Sequence, residues 1–327
     1  MRKGRVSMLT YILKRIILAA LTLLVLITVI FVLVRLLPGD PFVSEKTPEA
    51  IRQSMLRYHG FDRPIHEQWF RYTSNLLKGD LGVSLKYPGR SVNEAIAATF
   101  PFSADLGIKA LTFGLLAGLF LGIVAAQKAG RTLDYVCIII AIIGVSAPDF
   151  IIGTLLQLGF SIKLKWFPAT QWLSLRHHVL PVFALGLGTL ALIARLARSS
   201  MMEVLNQDYI LTARAKGLSN FQVIWRHQIR NSILPIITTM GPRVAAVLTG
   251  TFVLERIFAI PGMGKFYVQS INDLDYTMVL GMTAFYGLFL VIANLVVDII
   301  YGFVDPRIKL AEKKYKMPEA EEAEGDA

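Results

Sequence analysis

The chain has 327 residues, of which 54% are hydrophobic and 17% charged, with a formal net charge of +11 and a mean hydropathy of +0.54. Soluble domains carry about a quarter charged residues, so the composition points to a membrane and excludes an ordinary soluble domain. Cys137 is the one cysteine, which excludes disulfides and thiolate clusters within the chain.

Six segments are apolar enough to cross a hydrocarbon core, which takes about 20 residues for roughly 30 Å. They are 9–37, 102–126, 135–160, 179–197, 233–257 and 278–304. Lipid cannot satisfy backbone polar groups, so all six are predicted as helices. The fourth is the weakest, with 16 uncharged residues from 179 to 194.

Arg2, Lys3, Arg5, Lys14 and Arg15 make a basic start, and the uncharged run 16–34 that follows is 19 residues long. That exceeds a signal-peptide core, and no small-x-small cleavage site follows, so the segment reads as an uncleaved anchor. Next comes an outer region, 38–100, opened by the turn Pro38-Gly39-Asp40-Pro41. Short helices are expected over 50–58, after Thr47-Pro48, and over 65–77, with a second turn at Gly79-Asp80-Leu81-Gly82. This region is either a compact loop on the outer mouth or a docking surface.

In the second span Gly114, Gly118 and Gly122 form a close-packing stripe. Cys137 in the third span suits packing. His177 and His178 are adjacent and point to different helix faces, so they read as a polar interfacial pair. Ionisable residues near or within spans are candidates for a transport pathway. Here they are Asp149 after Pro148, Arg243 after Pro242, and Asp298, each with the alternative of a helix-end charge or a bond to a neighbouring helix. Proline at 242 frees a backbone carbonyl and can bend a helix into a pathway. Glu255-Arg256 is expected at the outer end of the fifth span, with 260–264 making a tight re-entry or turn.

Between the fourth and fifth spans lies the polar stretch Asp208-Tyr209-Ile210-Leu211-Thr212-Ala213-Arg214-Ala215-Lys216-Gly217-Leu218. Asp208 can cap a helix here and Gly217 can end it in a left-handed conformation, while Lys216 suits the negative end of its dipole. The expected helix is about nine residues and roughly 13 Å long. Leu211, Ala215 and Leu218 share one side of it; Tyr209, Ala213 and Gly217 share another. By spacing alone it is an ordinary surface helix or a knob that another protein grips.

Basic residues set the orientation. With the N-terminus inside, 18 Lys and Arg fall in cytosolic stretches and five in the two short outer loops. Both termini and 208–218 are thereby predicted cytosolic. After Lys313, Lys314 and Lys316, the tail to residue 327 is acidic and nearly free of bulky apolar residues, the composition of a disordered segment. The sequence contains no Gly-x4-Gly-Lys-Ser/Thr phosphate loop, no His-Glu-x-x-His and no Gly-x-Ser-x-Gly.

The 208–218 stretch resembles the coupling motif of bacterial ABC importer membrane subunits, Glu-Ala-Ala-x-x-x-Gly. Gly217 matches its glycine and Ala213 its second alanine, whereas Leu211 and Thr212 replace the first two positions. Ala213-Arg214-Ala215-Lys216-Gly217 is similar to the peptide permeases. Further matches to the peptide/nickel permease family are Pro38–Pro41, Gly60-Phe61-Asp62-Arg63-Pro64, Glu67-Gln68-Trp69, Gly79–Ser84, Asn231–Pro235 and Asp305-Pro306-Arg307. Thr249–Glu255 with Phe258–Gly264 looks most like the oligopeptide branch. The resemblance spans about 8–310.

It implies an all-α protein with six transmembrane helices and the type I ABC importer permease fold (MetI-like). The implied divisions are 1–37 (cytosolic start and first span), 38–100 (external), 101–310 (permease core, with coupling helix 208–218) and 311–327 (tail). It further implies a bacterial plasma-membrane permease subunit for oligopeptides, half of a translocation pathway, with dipeptide, nickel or metallophore import as the alternative. Asp208, Tyr209, Ala213, Arg214, Ala215, Lys216, Gly217 and Leu218 would couple it to two cytosolic ATPases. Those ATPases would hold ATP and Mg; this chain would hold no cofactor or metal and would have no catalytic site. Closure of the ATPases on ATP would turn the pathway outward, and hydrolysis would reset it. A homologous second permease and an external peptide-binding protein complete the implied assembly. Pro242, Arg243 and Glu255 are the pathway or gating candidates. An ion-coupled secondary transporter, which needs carboxylates deep in its spans, and an intramembrane enzyme are the competing classes.

Overall fold

In the computed structural model, residues 8–36, 49–87, 89–249 and 252–304 are described. The expected turn at Pro38–Pro41, the motif residues Gly250 and Thr251, the closing 305–307 and the tail lie outside them, as does the side chain of Asp298. The named elements among the described residues are all helices, with a single isolated β-bridge between Val83 and Ser91.

Helix α1 (Met8–Arg35) is followed by α2 (Glu49–His59) and α3 (Ile65–Leu77). Then come α4 (Val92–Gln127), α5 (Thr132–Ser146) and α6 (Asp149–Leu156), which runs on as a π-helical turn over Gln157–Lys163. Next are α7 (Leu175–Leu205), α8 (Asp208–Ala215) and α9 (Asn220–Val223), a second π-helical turn (Ile224–Ile229) and α10 (Arg230–Ser232). Helices α11 (Leu234–Thr249), α12 (Phe252–Ile257), α13 (Met263–Asn272) and α14 (Tyr276–Val304) complete the described elements.

Four helices can each cross a membrane by length and apolarity: Leu13–Arg35, Val92–Gln127, Leu175–Leu205 and Tyr276–Val296. The expected third span, 135–160, is not one rod: the chain bends by 108° between Thr132–Ser146 and Asp149–Lys163, and the bent pair would count as a fifth span. Pro148 causes the break, since it lacks an N–H and pushes Ala147 out of the helical region to φ −92°, ψ 128°. The expected fifth span is also shorter than read: α11 has 16 residues, roughly 24 Å at 1.5 Å per residue.

The centre of the bundle is the α4–α7 contact. A Cβ on Gly114 would lie 2.7 Å from the Gly186 carbonyl oxygen, and one on Gly118 2.7 Å from that of Leu190. The expected glycine stripe thus lets two backbones touch. Leu106, Ala110, Ala184, Leu254 and Phe258 fill the core beside it. Phe31 and Val34 of α1 pack on Tyr276, Val279 and Leu280 of α14.

In the outer region both expected helices form. Trp69 of α3 donates to the Thr28 hydroxyl at 3.1 Å, and Arg35 reaches Gln68 Oε1 at 2.7 Å, so α3 is pinned at this point to the last two turns of α1. Gly79–Ser84 forms the second expected turn. Asn93 holds it, donating to the Gly79 carbonyl at 2.7 Å and accepting from the Leu81 amide at 3.1 Å. Ser91 and Glu94 cap α4 reciprocally, which starts that helix before the membrane.

Candidate functional site

The 208–218 stretch forms a short helix ended by a tight reversal. Its cap position is Gln207, in extended backbone at φ −86°, ψ 145°, and not Asp208 as read from the sequence. Asp208 is the first helical residue, where its charge still favours the free N–H groups. At the other end Gly217 has φ +79° as expected. The Gly217 amide donates to the Arg214 carbonyl at 2.9 Å and the Leu218 amide to that of Ala213 at 3.3 Å, the paired bonds of a Schellman end.

That reversal rearranges the expected faces. Leu218 folds back to join Ala213, Ile210, Val204 and Val223 in a small apolar cluster. Ile210 is 0% and Ala213 4% exposed, so both seat the helix on the rest of the chain. Tyr209, Leu211, Arg214, Ala215 and Lys216 remain outward. Phe221 and Trp225, on the following turn, are exposed beside them, with ring centroids 6.1 Å apart. Sequence reading passed over these two aromatics; an apolar pair in an otherwise polar loop was the available signal.

The structure separates the three pathway candidates. Arg243 lines a cavity of about 230 Å³ at the α5–α6 break, shared with Gly144, Asp149, Ala184, Gly188 and Val247. Its Nε donates to the Thr189 hydroxyl at 3.0 Å. The guanidinium rests on Gly188, where a Cβ would come within 2.6 Å of Nη2. Pro242 is on the same helix, exposed and outside this lining. Glu255 stands elsewhere: fully buried, it accepts from the Gly264 amide at 2.7 Å. Met263 N donates to Ser103 Oγ at 2.9 Å in the same turn. Glu255 therefore fixes the start of α13, and the expected turn at 260–264 is held by it.

Two charged clusters were missed. Asp134 accepts from Arg198 Nε at 2.5 Å and Nη2 at 2.8 Å, joining α5 to α7. Asp105 accepts from Lys109 at 2.6 Å and from Trp172 Nε1 at 3.0 Å, and Lys109 Nζ lies 3.0 Å from His178 Nδ1. The i, i+4 spacing of Asp105 and Lys109 inside a span could have revealed the second. Nothing local marks Asp134, whose partner is 64 positions away. His177 turns instead to Ser174, at 3.0 Å, so the histidine pair does face two ways.

The helices long and apolar enough to cross a membrane define the class as an integral membrane protein. The chain belongs to the family described as "Binding-protein-dependent transport system inner membrane component", matched over residues 118–310, with that family's N-terminal region matched over 8–100. It is 47% identical over 304 residues to the dipeptide transport system permease protein DppB of Bacillus subtilis, covering 93% of this chain and 99% of that one. It is 40% identical over 306 residues to the oligopeptide transport system permease protein OppB of Escherichia coli, covering 92% and 100%. A solved amino acid ABC transporter shares the fold at TM-score 0.52 and 14% identity, over 65% of this chain and 95% of that one. The chain is thus a multi-pass membrane permease subunit of an ABC importer with the all-α type I permease fold. The ion-coupled transporter and enzyme readings give way to the family match.

Proposed function

We propose that the chain forms half of a peptide translocation pathway, working with a homologous permease, two cytosolic ATPases that bind ATP and Mg, and an external peptide-binding protein. Full-length similarity to two peptide permeases carries this reading. Helix α8 is its coupling helix: Ile210 and Ala213 anchor it, while Tyr209, Leu211, Arg214, Ala215 and Lys216 form the surface offered to an ATPase. Gly217 and Leu218 set its end. The basic asymmetry of the sequence supports cytosolic termini in a bacterial plasma membrane. The outer region 38–100 would receive the binding protein.

Peptide length has two readings. The Thr249–Gly264 motif supports oligopeptides, whereas the higher identity to the DppB relative supports dipeptides. Uptake of a di- to pentapeptide series by the complex in liposomes decides between them. Uptake of nickel or a metallophore, with no peptide uptake, would reject both. A tag after Ala327 should be protected in intact cells; labelling from outside would reverse the orientation and remove α8 from the ATPase side.

A further inference from the structure

The cavity at the α5–α6 break is built differently from the charge clusters elsewhere in the bundle. Asp105–Lys109 and Asp134–Arg198 close to within 2.6 and 2.5 Å. Asp149 and Arg243 share a cavity, and among the described residues no ion pair closes between them. Isolated charges are costly at membrane depth and are held there where water or a guest reaches them. The backbone break at Ala147-Pro148 has the same requirement, since non-helical backbone is tolerated only inside protein or along a wet cavity.

The guanidinium is prepared for one kind of guest. Thr189 occupies Nε at 3.0 Å, and among the described residues no hydrogen bond uses the end-on edge with its two Nη groups. Gly188 has no Cβ to push that edge away. A planar fork of this kind matches a carboxylate bidentately. The volume, about 230 Å³, holds roughly seven or eight waters at ~30 Å³ each. That suits one end of a peptide and not a whole chain. Asp149 lines the same cavity, its Oδ1 accepting from the adjacent Phe150 amide at 2.8 Å. A standing anion in the same cavity weakens the hold on an incoming one. A transit site has to do both, since binding must favour entry and still permit departure.

We propose that this cavity is a transit subsite for the free C-terminal carboxylate of the peptide, with Arg243 as its ligand and Asp149 as the counter-charge that shortens its stay. This rests on the peptide reading above. The test compares uptake of one peptide as free acid and as C-terminal amide, by the intact complex with its binding protein in liposomes. The binding protein is the same throughout, so its own preference cancels when variant and wild-type ratios are compared. Arg243→Gln should lower the acid-over-amide ratio by about tenfold, and Arg243→Lys by less. Asp149→Asn should raise the ratio at sub-saturating peptide and, at saturating peptide, slow uptake of the acid. If Arg243→Gln does not assemble, Thr189→Val, which keeps the charge but unfixes it, should still lower the ratio. Unchanged ratios in Thr189→Val and Asp149→Asn would overturn the subsite while leaving peptide transport standing. Uptake of neither form by wild type would overturn the peptide reading and the subsite with it.

Discussion

The Ser84 hydroxyl donates to the buried carboxylate of Asp275, joining residues 191 positions apart. The same carboxylate accepts from the Leu85 amide at 3.1 Å and from the Met278 amide at 3.2 Å, so it caps α14 and pins the outer turn at once. Asp275 is 0% exposed. Asp275→Ala leaves a buried amide, a half-buried amide and a buried hydroxyl without their acceptor and should cost about 2–4 kcal/mol. Ser84→Ala should cost about 1 kcal/mol. Thermal melting of the purified complex checks the order; equal melting points for wild type and Asp275→Ala would deny the clamp.

Gly217 takes φ +79° with nothing within 4 Å of where a Cβ would stand. The penalty for a substituent is therefore one of backbone conformation, roughly 1–2 kcal/mol. Gly217→Val should leave the subunit in the membrane, reduce transport and weaken co-purification of the ATPases. Gly217→Asn, which tolerates the left-handed region, should be milder. Equal damage from both would move the cause from conformation to the partner surface.

Ala213 and Ala215 separate seating from contact. Ala213→Glu buries a charge among Val204, Ile210 and Val223, and should unseat α8 and lower the yield of folded subunit. Ala215→Glu places its charge on the exposed side, so the yield should stay normal while ATPase binding falls. Yield and co-purification, measured together, distinguish the two. Normal folding of Ala213→Glu would refute the buried placement.

Gly118→Ala tests the backbone contact. Its Cβ would meet the Leu190 carbonyl at 2.7 Å and Ile193 Cβ at 2.9 Å. Overpacking of this kind costs typically 1–3 kcal/mol. The melting point of the complex should drop, and Gly159→Ala, at a site with open space around it, should leave it unchanged.

Features with short sequence reach were readable in advance. Gly217, the α3 boundaries and the glycine stripe each depend on residues within one or two helical turns. Asp208 was misplaced by one position because aspartate suits both the cap and the first turn of a helix, and only the backbone angles choose. The bend at Pro148 was read through because the apolar run continues across it and periodicity carries no direction. Asp275, Asp134 and the Arg243–Thr189 bond depend on partners 190, 64 and 54 positions away respectively, and one sequence holds no record of such distances.

Where α4 meets α7, main chain lies on main chain, and no rotamer can change to let one rod slide past the other. Any swing of this subunit must then carry both rods together as a single strut, and the chain must flex elsewhere. The π-helical turn at Ile224–Ile229, between the seated α8 and α11, offers widened helical geometry for that flexing. A crosslink tying α4 to α7 should leave transport running, whereas one that staples Ile224–Ile229 to α7 should stop it.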